Sequence, residues 1–266
     1  YFKVIQGFSG DTDRFVVDAV VGGLRLAEVA LVDDESRAGY RELVSRTLGP
    51  VAARLGVRAP TAAEDADTKL LRRTVFSALG SLAERRDVLD EAERLADLYL
   101  ADRTSVDPDL AIAAASLASR RGGKSRFDGW VKLIEGSENP QQRQVALYGL
   151  GGFSDKGIAQ TALDLALTDS IKKQDTFYIP SIMFGHYTTR EIAYQWLKDN
   201  FEKLKKRIPE SHIGRLYGAF GVFSSPERRK DAERFFGAPE RKLEGGERRL
   251  AEGLLERVAA VARGGV

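Results

Sequence analysis

Only two imidazoles, His186 and His212, are available for acid–base or metal chemistry, and the 266 residues contain no cysteine. His186 lies in FGHYTTREIAYQW (184–196), where Glu191 follows five positions later among aromatic side chains. A histidine near a carboxylate is the minimum for general acid–base catalysis. A helical zinc site needs more: two histidines four residues apart, as in H-E-x-x-H. His212 is 26 residues from His186 and falls on a different predicted helix. The lack of cysteine excludes thiolate zinc sites, disulfides and a cysteine nucleophile.

The same residues have structural uses. Thr188-Thr189-Arg190-Glu191 fits a capping box, a Thr N-cap with Glu three residues on, each satisfying a backbone N–H at a helix start. His186 then sits in the turn before that helix. The glycine cluster YGLGGFSDKG (148–157) has Ser154 where G-x-G-x-x-G needs its third glycine, and no strand precedes it. It reads as a helix end followed by an N-cap at Ser154. Asp33-Asp34-Glu35 and Glu64-Asp65-Asp67 lack the calcium-loop pattern and read as solvated. Lys203, Lys205, Lys206 and Arg207 close a predicted helix over 189–206, where cations suit the negative end of the dipole. The expectation is therefore that this chain carries no catalytic, cofactor-binding or metal-ligating residue.

The elements that hold these residues are predicted to be helical throughout. Asp107-Pro108, Asn139-Pro140 and Ser225-Pro226 each pair an N-cap with Pro at the first helical position. Leu70, Leu71, Val75, Phe76, Leu79 and Leu82 form one apolar stripe, and Leu89, Ala92, Leu95, Ala96 and Tyr99 form the next. Alternating period-two runs with hairpin dipeptides are missing. Helix starts are predicted near 107, 125, 139, 154, 170, 188, 209 and 225. Two such helices make a unit of about 30–40 residues, the range of helical-hairpin repeats. The fold expected is all-α, a right-handed superhelix of paired antiparallel helices, HEAT- or armadillo-like, as one domain over residues 1–266.

Composition bounds the partners. Lys plus Arg total 41 against 39 Asp plus Glu, without the basic excess of a nucleic-acid binder. No apolar run approaches the roughly 20 residues of a membrane span. YFKVIQGFSG opens without an initiator Met or a signal-peptide pattern. The expectation is an N-terminally truncated piece of a longer chain, which leaves its compartment open.

One ordered set of motifs goes further. Asn139, Pro140 and Arg143 form an N-P-x-x-R stretch opening a helix. Ala162 to Leu167 follow as A-L-D-L-x-L, and then comes the pair Gln174-Asp175. Arg190, Glu191, Ala193, Tyr194, Trp196, Leu197, Lys198, Asn200 and Phe201 occupy an R-E-x-A-W-x-F-L-K-x-N-W type helix. In this order and spacing the chain resembles the C-terminal helical domain of the aminopeptidase N family of zinc metallopeptidases, which includes the endoplasmic reticulum aminopeptidases. The resemblance extends upstream to DTDRFVVDAVVGGL (11–24) and downstream to ERRLAEGLLERVAAVAR (247–263). Two departures stand out. His186-Tyr187-Thr188-Thr189 replaces the N-P-R-G that often precedes R-E, and Pro180 falls in the short helix after Gln174-Asp175, implying a kink or a late start.

The resemblance implies a non-catalytic part of a zinc aminopeptidase. In that family zinc is held by H-E-x-x-H and a distant Glu in a preceding domain, and G-x-M-E-N recognises the peptide N-terminus. None of these motifs occurs here. The implied partners are the catalytic domain of the same parent chain and peptide substrates, with no nucleic acid and no membrane segment. The implied role is closure of the active-site chamber and positioning of peptide. The alternative is a free-standing HEAT-like interaction scaffold.

Overall fold

A computed structural model describes residues 2–56, 64–222, 226–238, 246, 249–253 and 256. All regular elements among the described residues are helices, as the spacing of apolar positions predicts. They form two compact units, Tyr1–Ala162 and Leu163–Val266.

The first unit holds α1 (Phe2–Gln6), α2 (Arg14–Leu31), α3 (Arg37–Leu55), α4 (Ala66–Ser81), α5 (Arg86–Ala101), α6 (Pro108–Ser119), α7 (Lys124–Gly136) and α8 (Pro140–Gly151). Side-chain caps start four of them. Asp13 accepts from the N–H groups of Phe15 and Val16, Asp65 from Thr68, Asp107 from Asp109, and Asn139 from Gln141 and Gln142. These caps satisfy donors that have no partner inside the helix. The 107–108 and 139–140 expectations therefore hold as cap plus Pro.

Packing in this unit runs in two layers. Helices α2, α4, α6 and α8 pack successively on one another, while α3 lies on α4, α5 on α6, and α7 on α8. The close approach rests on small residues. Ala111, Ala113, Ala114, Ala115 and Ala118 of α6 are all buried. At Gly149 a Cβ would come within 2.6 Å of the Trp130 ring, and at Gly152 within 2.2 Å of the Ser116 carbonyl oxygen. No side chain fits either place, which accounts for the glycine cluster without a phosphate.

Helix α9 (Lys156–Leu165) spans the division between the units. Its first turn is capped by the Asp155 carboxylate, which accepts from Ile158 N–H at 2.9 Å. The expected cap at Ser154 is one residue early, because the shorter hydroxyl yields to the carboxylate beside it.

The second unit is built from shorter pieces: α10 (Tyr178–Phe184), α11 (Arg190–Asp199), α12 (Phe201–Arg207), α13 (Ile213–Gly218) and α14 (Pro226–Gly237). A 3-10 turn, Lys173–Asp175, stands where a helix was expected near 170. Pro180 is buried as the third residue of α10, so the late start is what the chain adopts; in the first turn Pro deprives no helical hydrogen bond. The single helix expected over 189–206 is two helices broken at Asn200, whose Nδ2 donates to the Trp196 carbonyl at 3.0 Å. The break turns Phe201 into a cluster with Tyr217, Phe220, Phe235 and Phe236, ring centroids 5.3–5.9 Å away. Ser225 and most of 247–263 lie outside the described residues.

Candidate functional site

The turn between α10 and α11 holds His186, and Glu191 lies in the first turn of α11. His186 is buried, and its carbonyl accepts from the N–H groups of Thr189 and Arg190. Thr189 Oγ1 donates to the Met183 carbonyl at 3.2 Å, and Arg190 Nε donates to the Phe184 carbonyl at 3.0 Å. These two side chains satisfy the exposed end of α10. The capping box expected from Thr188 and Glu191 does not form. The helix starts at Arg190 with no side-chain cap, and Glu191 instead pairs with Arg228 of α14. A charged partner 37 positions later outcompetes a single backbone N–H. The turn is thus a fastener, with His186 buried within it.

The other motif residues fasten loops in the same way. Arg143 is buried, and its Nη1 donates to the carbonyls of Ile134 at 2.6 Å and Ser137 at 3.4 Å, so it closes α7 onto the start of α8. Arg207 binds the carbonyls of Thr168 and Ile171 and the Thr176 hydroxyl, fixing the segment that carries Gln174 and Asp175. Within the predicted basic cluster, Lys203 also reaches Asn200 at 3.4 Å and Lys205 pairs with Glu202 at 3.9 Å. Trp196 Nε1 donates to Asp164 at 2.9 Å, joining α11 to the A-L-D-L-x-L stretch. Among the two acidic groups, Glu64 pairs with buried Arg72, Asp65 caps α4 and Asp67 pairs with Arg14, so these are not merely solvated. Asp33 is exposed and bonds the Ser36 hydroxyl and N–H, which hold its carboxyl below the usual range.

A polar ladder that sequence reasoning missed runs along one side of the first unit. Arg14 and Asp18 on α2 reach Asp67 and Thr74 on α4 at 3.0 and 2.9 Å. Arg73 and Lys69 on α4 reach Asp109 and Asp107 at α6, at 2.8 and 3.6 Å. Arg25 extends this side of α2. It is exposed, yet desolvation by the surrounding protein lowers its guanidinium from the ordinary value, opposed by Tyr40, Glu28 and Tyr148. Tyr148 belongs to α8, three neighbours along the layer. The available signal in the sequence was Arg25 itself, the lone cation between Phe15 and Val32.

Among the described residues no group of three or more His, Cys, Asp or Glu side chains could hold a metal ion. His186 is tied into its turn, and His212 sits in a separate 3-10 turn at Glu210–His212. No helix among the described residues is long and apolar enough to cross a membrane.

An all-helical chain whose motif residues secure turns and helix ends belongs to the class of helical modules attached to a larger machine. Comparison with known proteins specifies which. The family model described as the ERAP1-like C-terminal domain matches residues 1–260, and this chain belongs to that family. It is similar to Aminopeptidase M1-B of Oryza sativa subsp. japonica, 25% identical over 98% of this chain and 30% of the relative. Aminopeptidase M1 of Arabidopsis thaliana is 29% identical over 63% of this chain and 20% of its own length. The Tricorn protease-interacting factor F2 of Thermoplasma volcanium is 26% identical over 82% and 25%. The chain spans less than a third of each of these relatives.

Proposed function

We propose that this chain is the C-terminal domain of a longer zinc-dependent aminopeptidase. It carries no catalytic residue, closes over the active-site chamber of its parent and helps admit and position peptide. The observation that supports the reading is the alignment: nearly the whole chain matches a C-terminal domain, yet it covers only 20–30% of aminopeptidase relatives. On this reading residues 1–266 act as one superhelical domain of paired helices, HEAT-like in build. Its layer of α2, α4, α6 and α8 faces peptide, and its partner is the catalytic domain of the same polypeptide. Zinc belongs to that other domain and would supply Lewis-acid chemistry there. What the residues here do is limit access and exclude water when the parent closes.

The test is to clone the gene with its upstream coding sequence. The full-length protein is expected to bind one zinc per chain and hydrolyse aminoacyl anilides, whereas residues 1–266 expressed alone do neither. Stoichiometric zinc with hydrolysis by residues 1–266 alone would overturn the reading.

A further inference from the structure

Helix α2 is apolar on two opposite faces. One face, with Val17, Val20, Val21 and Leu24, is buried in the first unit. At 100° per residue, Phe15, Ala19, Gly22 and Leu26 line the opposite face at a 4-3-4 spacing, and all four are exposed. Phe15 is 68% and Leu26 54% exposed. An ordinary surface helix is polar opposite its core. Here the polar residues Arg14, Asp18 and Arg25 lie to one flank, where Arg14 and Asp18 serve the ladder to α4 and the Arg14 guanidinium sits 4.2 Å from the Phe15 ring centroid.

The rest of the array shows what such a face is for. Helix α4 has α2 on one side and α6 on the other, and α6 lies between α4 and α8. In each of these inner helices the positions left partly exposed are mostly polar, such as Arg73, Thr74 and Ser77 on α4. The series α8–α6–α4–α2 stops at a helix that still presents an apolar stripe, with small Ala19 and Gly22 between two large residues. Nothing lies within 4 Å of a Cβ built at Gly22. Large residues flanking a small-residue centre make a ridge-and-groove surface that a second helix can approach closely. Five of the seven large hydrophobics exposed among the described residues, Val4, Phe8, Phe15, Leu26 and Leu31, fall in α1, α2 and the turn after α1. Exposed apolar surface concentrated at one end of a helical stack is the mark of a stack that continues.

We propose that the Phe15–Ala19–Gly22–Leu26 face of α2 is covered by an amphipathic helix of the parent polypeptide that lies N-terminal to Tyr1, packed on α2 as α2 is packed on α4. The occupant is chosen by the array, which this face continues. It is chosen also by length, since the relatives carry more than two thirds of their chain outside the matched region and the matching family is a C-terminal domain. The inference rests on the proposed function and specifies where the parent meets this domain.

The test uses the full-length protein with single reporter thiols at Leu26→Cys and, separately, Ala19→Cys; residues 1–266 have no cysteine of their own. Lys132→Cys on the exposed surface of α7 is the reference. N-ethylmaleimide labelling is followed by peptide mass spectrometry, so thiols elsewhere do not interfere. Positions 26 and 19 are expected to react at least tenfold more slowly than 132 at every protein concentration. Reaction as fast as at 132, in a protein that hydrolyses aminoacyl anilides, overturns the inference and leaves the function standing. Protection that disappears on dilution assigns the face to a second copy and overturns it too. An upstream frame that stops within a few tens of residues overturns the function and the inference together.

Discussion

The two units are held together by different means. In the first, long helices with side-chain caps pack through alanine and glycine, so backbones approach until Gly149 and Gly152 touch Trp130 and the Ser116 carbonyl. In the second, the described helices α10 to α13 are of 6–10 residues and an aromatic cluster joins α12, α13 and α14, and loops are tied by Thr189, Arg190 and Arg207 donating to backbone carbonyls. The first arrangement is specified locally, helix by helix. The second exists only when segments far apart in the chain meet, as Tyr194, Lys198 and Asp231 do. Short helices have little stability of their own and depend on tertiary packing.

The sharpest way to test that contrast is Phe201→Ala. Phe201 is 1% exposed at the centre of the rings, and its truncation should cost about 3–5 kcal/mol. Hydrogen exchange should rise in 190–237 and stay low in α4–α8. Uniform exchange increases across both units would break the contrast. Next in size is Gly152→Ala, where the obstacle is backbone rather than a movable side chain, at a cost of about 1–3 kcal/mol in urea unfolding. Gly22→Ala, in open space mid-helix, should instead stabilise the isolated chain by about 0.5–1 kcal/mol. If both glycines respond alike, close packing is not what the first unit depends on.

Smaller again is Asn139→Ala, which removes the cap of α8 and should cost about 1 kcal/mol, while Asn139→Asp should be close to neutral. Equal losses in the two variants would argue that the cap contributes nothing. The smallest effect is confined to acid. Burial alone would raise the Asp231 carboxyl, but hydrogen bonds from Lys198 and Tyr194 and the charges of Lys198 and Arg228 outweigh it and hold it below its usual value. Burial and the bond to Asp231 push the Tyr194 hydroxyl up, so it stays a donor. A depressed carboxylate stabilises above its unfolded value, near 3.9, and that stability is lost as pH falls through the folded value. Between pH 5 and pH 2 the Tm should therefore fall further in the native protein than in Asp231→Asn; equal falls would remove this link from the second unit.

Legibility followed the same division. Asp107-Pro108, Asn139-Pro140 and the stripes at 70–82 and 89–99 became helices as read, because their signals lie within one or two turns. Near 170, at 188 and across 189–206 the reading failed. Glu191 was available to a local N–H but was taken by Arg228, and the helix broke at Asn200 so that Phe201 could enter the ring cluster. The ladder and Arg25 were invisible for a related reason. A charge on a helix face looks solvated until the neighbouring helix is known.

The amino-acid sequence by itself determined an all-helical chain, the Asp107 and Asn139 caps of α6 and α8, the lack of any H-E-x-x-H motif and a family carried by ordered motifs. Those properties reside in residue type and spacing over a few turns, where hydrogen-bonding and apolar periodicity act. Tertiary structure alone decided that the family motif residues Arg143 and Arg190 secure carbonyls, that the glycines admit a ring and a backbone, and that α2 keeps an apolar face open. Each of these depends on which atoms arrive from elsewhere in the chain, and burial, ion pairing and steric exclusion are settled only when they do.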